Sequence, residues 1–206
     1  MRKIIETSDR VIKNNIESYF LASDRKLRKQ GKEWYKDAQK FSKELAKKYK
    51  VEPFRVAGVI SALSPNNRWK RNKVDAEATV GAFTSGKFTK DEYMELVKCC
   101  TYDANKSKAW DILEQGEVIT AKSPKTHSFA MNVGLLSKDH ITIDKWQVRA
   151  CLTKAKDGKT KTQESITNVQ YRRLEALTAQ LAKKYKLKGY EFQAIVWVTI
   201  KSIWEK

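Results

Sequence analysis

Apolar residues return every three or four positions along nearly the whole chain. That spacing suits the 3.6-residue repeat of an α-helix and not the two-residue repeat of a strand. Val11, Ile12, Ile16 and Phe20 form one such stripe, and Trp34, Ala38, Phe41, Leu45 and Tyr49 form the next. Little interrupts the pattern: 206 residues include only 8 Gly and 3 Pro, while the good helix formers Lys, Glu, Ala and Leu are plentiful. An all-α fold of nine or ten helices is predicted.

Local punctuation places the helices. Pro53 suits the first turn of a helix through Phe54–Leu63, whose residues are nearly all apolar or small, and a buried central helix is expected there. The turn formers Ser64, Pro65, Asn66 and Asn67 end it. A helix follows from about Arg68 to Phe83, stopping at Ser85 and Gly86. Thr89 is predicted to cap a helix running toward Cys100, and Asn105 to cap another through Leu113. Ser123 as N-cap and Pro124 as first helical residue open a helix that Gly134 closes. Ile141-Thr142-Ile143 is too short and β-branched for a helix, and Asp144 then caps Lys145–Lys154. A lysine-rich connection from Lys156 to Lys161 leads to helices near Thr167–Tyr185 and Tyr190–Trp204. Residues 1–206 read as a single helical domain. Trp110, Trp146, Trp197 and Trp204 fall at helical spacing and are predicted to lie in the core.

The charge balance speaks to partners. There are 42 Lys+Arg against 24 Asp+Glu, a formal net charge of +18, which calls for a polyanionic partner. No apolar run approaches the ~20 residues that span a bilayer, and no secretory signal is recognisable, so double-stranded DNA in the cytoplasm is expected rather than a membrane. Cys99, Cys100 and Cys151, with only His127 and His140 in the chain, lack the spacing of a zinc or iron–sulfur site. Reduced thiols, no metal and no cofactor are expected.

Asp144 is the leading candidate for chemistry. A carboxylate at a helix N-terminus is stabilised as an anion by free N–H groups and the helix dipole, and by itself this is an ordinary cap. At the edge of an apolar wall the same anion can stabilise positive charge on a sugar or deprotonate water. Lys125, in the first turn after Ser123, is the second candidate, since a lysine with a lowered pKa can attack a sugar carbon to form a Schiff base. Trp69 follows a turn and stands among Arg68, Lys70 and Arg71, where it suits base stacking or gap filling.

Four segments resemble, in order, the endonuclease III-type members of the helix-hairpin-helix DNA glycosylase superfamily. Pro53–Ala62 is similar to the helix that opens their helical body, and Asn105–Leu113 to a later helix. Lys125-Thr126 falls at their catalytic lysine, and Ile141–Arg149 resembles the segment bearing their catalytic aspartate, here Asp144. Ser64, Pro65, Trp69 and Asn72 also resemble small phage-encoded relatives, which would place the protein in a host cytoplasm. The resemblance implies a two-lobed helical bundle, with about 54–135 as one lobe and 1–53 plus 136–206 as the other, acting as a monomer. It implies a base turned out of the duplex, Asp144 stabilising the oxocarbenium-like sugar, and Lys125 attacking C1′ to add lyase activity. Asn66, Asn67 or Trp69 would fill the gap, while Arg68, Lys106, Lys108, Lys122, Ser123, Lys145 and Arg149 would contact DNA.

The chain departs from that family in three places. Ala121 and Ser123 stand where the hairpin has two glycines, Ser64–Asn67 replaces a glutamine-containing wedge, and the C-terminal four-cysteine cluster is absent. Two other readings therefore stay open: a phage enzyme that hypermodifies a DNA base on a glycosylase-like scaffold, and a DNA-binding protein without catalysis.

Overall fold

Ten helices form among the described residues of the computed structural model, which are 1–116 and 119–205. They are α1 (Asp9–Ala22), α2 (Arg25–Tyr49), α3 (Pro53–Ala62), α4 (Trp69–Thr84) and α5 (Lys90–Leu96), then α6 (Asp103–Gln115), α7 (Pro124–Leu135), α8 (Lys145–Leu152), α9 (Asn168–Lys184) and α10 (Gly189–Trp204). The only extended pairing among the described residues is an isolated parallel bridge between Arg2 and Thr162. The expected all-α class is what the chain adopts. No described helix is long and apolar enough to cross a membrane.

The chain divides into two compact units, Met1–Asp37 with Leu136–Lys206, and Ala38–Leu135; the dividing point falls within α2. In the first unit α10 is the organising helix. Ten of its residues are buried, and it packs against α1, α8 and α9. The core draws Ile12 and Ile16 from α1, Val148 and Leu152 from α8, Leu174 and Leu181 from α9, and Phe192, Ile195 and Ile200 from α10. Removing such side chains from water supplies about 1.5–3 kcal/mol each.

In the second unit α3 is central. Its residues Val56–Ala62 are buried without a break, and it packs against α4, α6 and α7. A run so apolar has no polar face to turn outward, and the surrounding helices supply one. Glu52 caps α3, its carboxylate accepting from the Arg55 N–H at 2.8 Å. A smaller cluster of Ala82, Tyr93 and Trp110 joins α4, α5 and α6.

Several helix ends differ from expectation. Thr89 does cap α5, in a reciprocal box with Glu92, but the helix stops at Leu96 and does not reach Cys100. The chain is held open there because the Cys100 N–H donates to buried Asp75 at 2.8 Å. Asn105 is not the cap of α6. The helix begins two residues earlier, and the Asn105 amide donates to the Thr101 hydroxyl at 3.1 Å. Gly134 does not close α7. It lies inside the helix, where a β-carbon would come within 2.6 Å of the Phe54 ring, and the first left-handed residue is Leu136. α8 ends at Leu152, two residues early.

Gly31 marks a close helix–helix approach in the first unit: a β-carbon there would lie 2.5 Å from the Ile195 α-carbon and 2.6 Å from its backbone nitrogen. Backbone cannot step aside as a flexible side chain can. Gly31→Ala is expected to lower unfolding free energy by about 1–3 kcal/mol, measured as a fall in the urea midpoint at unchanged slope.

Candidate functional site

The segment Ile141–Ile143 delivers Asp144 to its place. Ile141 and Ile143 are buried, and the backbone between them is satisfied by one side chain in place of a sheet. The Tyr171 hydroxyl donates to the Ile141 carbonyl at 2.8 Å and accepts from the Ile143 N–H at 3.1 Å. The chain then turns into α8 with extended dihedrals at Asp144.

Asp144 is half-buried, and both carboxylate oxygens are engaged. Oδ1 accepts from the N–H groups of Trp146 at 3.0 Å and Gln147 at 2.9 Å, and Oδ2 accepts from the indole Nε1–H of Trp197 at 2.8 Å. Three N–H donors at a helix N-terminus fix the orientation of the carboxylate. A carboxylate offers about four lone-pair positions, so a pre-oriented anion keeps one direction for a ligand or a water.

Trp197 is fixed in turn. The Trp34 ring lies 5.6 Å away, tilted by 60°, and the Lys201 ammonium sits 4.5 Å above the indole. Tyr35 is buried next to Trp34 and donates to the Gln193 side chain at 3.1 Å. Burial pushes its phenol well above the ordinary range, a hydrogen bond with Thr142 opposes this, and the Asp144 charge pushes it up further. The phenol therefore stays neutral beside the carboxylate.

The remaining candidates are placed variously. Lys145 is exposed beside Asp144. Arg149, with 17% of its side chain exposed, stacks against Trp146 and Trp204 at 4.6 and 5.4 Å and pairs with Glu164. Asp144 belongs to the first unit and Lys125 to the second. Lys125 is half-exposed in the first turn of α7, and Lys122 and Ser123 are exposed in the turn before it. The Ser123 carbonyl accepts from the His127 N–H at 3.0 Å and the Thr126 hydroxyl at 3.1 Å, which seats that turn on the helix.

The Asn66–Trp69 loop is tightly built. Asn66 is exposed in the left-handed region at φ 56°, and its amide donates to the Tyr102 hydroxyl at 2.6 Å. The Asn67 amide donates to Asp75 at 2.8 Å, Arg68 is exposed, and Trp69 is half-buried with its ring edge-on to Phe41 at 6.1 Å. Lys73 lies over both rings. Lys108 is half-exposed on α6.

Lys106 requires a correction. It does not stand on a phosphate-facing surface: it is 5% exposed, its ammonium donates to the Met94 carbonyl at 2.6 Å, and it lies 4.9 Å from the Tyr93 ring centre. The aliphatic stem is buried with the apolar side of α6, and the carbonyl and ring replace the water that the charge has lost.

Sequence reasoning missed two residues. Asp75, 1% exposed, accepts from Arg71 Nε at 2.7 Å, Asn67 at 2.8 Å and the Cys100 N–H at 2.8 Å, and so ties the Asn66–Trp69 loop to the segment before α6. The Arg71–Asp75 spacing of four residues was its only local signal. Trp197, expected simply as core, is a donor to Asp144, and nothing local announces a bond across 53 positions.

Among the described residues no group of three or more His, Cys, Asp or Glu side chains is placed to hold a metal. Burial pushes the thiols of Cys151 and Cys99 up, while Cys100 is exposed.

Fold and site together describe a strongly basic all-helical protein that presents a fixed carboxylate at a helix N-terminus. The chain belongs to a family of unknown function, DUF7178, whose model matches residues 1–203. No curated protein and no solved structure matches it.

Two outcomes follow from this geometry. In Asp144→Asn the oxygen must stay on the two backbone N–H groups, which turns the amide NH₂ toward the Trp197 N–H and sets donor against donor. A loss of about 1–3 kcal/mol is expected, reduced when Trp197→Phe is also present, as a double-mutant cycle in urea would measure. With a thiol-specific disulfide reagent, Cys100 is expected to react promptly in the native protein, half-exposed Cys99 more slowly, and Cys151 only after unfolding.

Proposed function

We propose that this protein binds double-stranded DNA and acts as an N-glycosylase on a damaged or modified base turned out of the duplex. The observation that carries this reading is the setting of Asp144: a carboxylate held by three N–H donors at the start of α8, with a lone-pair direction left over. A net charge of +18 supports the polyanionic partner.

The chemistry needs little from the protein beyond that anion. The base departs with the electron pair of the N-glycosidic bond and is protonated. Positive charge develops at C1′ and the ring oxygen, and the Asp144 carboxylate stabilises it. Water then adds at C1′, losing its proton to Asp144 or to solvent, and leaves an abasic sugar. Where Lys125 takes the place of water, its amine adds to C1′, the sugar ring opens, and the resulting imine permits strand cleavage by β-elimination. Asn66, Asn67 and Trp69 would occupy the space the base vacates, and Arg68, Lys108, Lys122, Ser123 and Lys145 would contact the backbone.

The test is mass spectrometry of duplexes carrying a panel of modified bases. Free base released by the wild type is expected, with release reduced about a hundredfold or more by Asp144→Asn while duplex binding persists. An altered but intact nucleoside would assign group transfer instead, and activity unchanged by Asp144→Asn would remove the carboxylate from the chemistry. Borohydride trapping on abasic DNA decides Lys125: a covalent adduct abolished by Lys125→Ala supports the lyase step, and no adduct in the wild type leaves water as the nucleophile.

A further inference from the structure

Helix α2 carries a feature that the proposed chemistry does not use. Lys29, Lys32, Lys36, Lys40, Lys43 and Lys47 follow one another at intervals of three or four residues, so all six stand on one face, and all six are exposed. At 1.5 Å per residue the row is about 27 Å long. The acids of the helix, Glu33, Asp37 and Glu44, keep to one flank of it. Lys36 pairs with Glu33 at 3.2 Å and Lys40 reaches Glu44 only at 3.9 Å. Among the described residues no acid pairs with Lys29, Lys32, Lys43 or Lys47.

A row of this kind is not what helix stability favours. Like charges at i, i+3 and i, i+4 repel, and Arg25 and Lys26 put further cations in the first turn, against the helix dipole. An ordinary solvated face mixes the two signs. The opposite side of α2 is also informative. Tyr35, Ala38, Leu45 and Ala46 are buried, so the helix has no free apolar face to sink into a bilayer. What remains is a line of flexible ammonium groups, four of the six without an ion pair among the described residues, chemistry that suits a row of phosphates.

We infer that the lysine row of α2 is a phosphate-tracking surface for the backbone of duplex DNA, separate from Asp144 and indifferent to sequence. The inference rests on the duplex-binding half of the proposed function and not on base release. Its length matches about eight base pairs of duplex, enough for several simultaneous phosphate contacts.

The test uses the full chain and an unmodified duplex of about two helical turns, with affinity measured by fluorescence anisotropy between about 50 and 200 mM salt. The triple variant Lys29→Gln, Lys36→Gln, Lys43→Gln is expected to lower the slope of log K against log salt by about two to three units. Its circular dichroism should match the wild type and its melting should be no lower, because the lysines are exposed and their mutual repulsion is relieved. A control triple, Lys87→Gln, Lys98→Gln, Lys183→Gln, removes equal charge from other exposed positions and should change the slope by less than about one unit. Equal losses in the two triples would mean that net charge alone is felt, and would overturn the inference, as would an unchanged slope in the α2 triple. Failure of the wild type to bind the duplex while it binds phosphatidylserine-containing vesicles would overturn it too. If the wild type binds with the expected dependence on α2 but releases no base from any duplex, the glycosylase reading falls and this surface stands.

Discussion

The near-contact of Gly31 with the backbone of Ile195 sets the geometry of the first unit. With no side chain between them, α2 and α10 approach backbone to backbone. The neighbouring residues on each helix are then committed to one another. Trp34 meets Trp197, while Tyr35 reaches Gln193 and Tyr190. The position of Trp197 in that series brings its indole N–H to Asp144. A carboxylate that would cap α8 wherever the helix lay thus acquires a third donor from a helix far away in sequence. Interiors are packed densely enough that a shift of α10 would be felt at Asp144.

Electrostatics contribute little to the stability of this fold. The surface ion pairs, such as Lys48 with Glu77 or Lys184 with Glu17, are exposed to solvent screening and contribute little to stability. Folding is sustained by the apolar cores, and the surplus of cations is a burden that the fold tolerates. Two cations have been withdrawn from the surface, each with a local replacement for water: Lys106 has a carbonyl and the Tyr93 ring, and Arg149 has two indoles and Glu164. Lys29, Lys32, Lys43 and Lys47 of α2 are exposed and make no ion pair among the described residues, and this sets them apart from charges used to build the structure.

Local chemistry made much of the fold legible. Thr89, Thr167 and Asp144 each accept a backbone N–H at a helix start, as short oxygen-bearing side chains at such positions should. The nearly all-apolar run after Pro53 reads as a buried helix because it has no polar face, and it is one. Misreadings arose where a distant group overrode the local signal. Asn105 resembles a cap, yet the turn before it is drawn back by Asp75 and the helix starts earlier. Gly134 resembles a terminator, yet its missing side chain is needed to seat Phe54. Lys106 looked like one lysine among many, and the face of α6 on which it falls turned inward.

The sequence by itself determined the helical class, because period and propensity act within a turn or two of the chain. It also determined that Asp144 would begin a helix as a capping anion, since the donors to Oδ1 are the next two residues but one along the same chain. Only the tertiary structure decided what meets Oδ2. The Trp197 indole lies 53 positions away, and its arrival depends on which faces of α8 and α10 come together, a matter of side-chain volume summed over whole helices. The same holds for Lys106 and Lys29. Identical side chains are assigned to the interior or to solvent by the packing of the helix that carries them, and no local pattern of charge distinguishes the two.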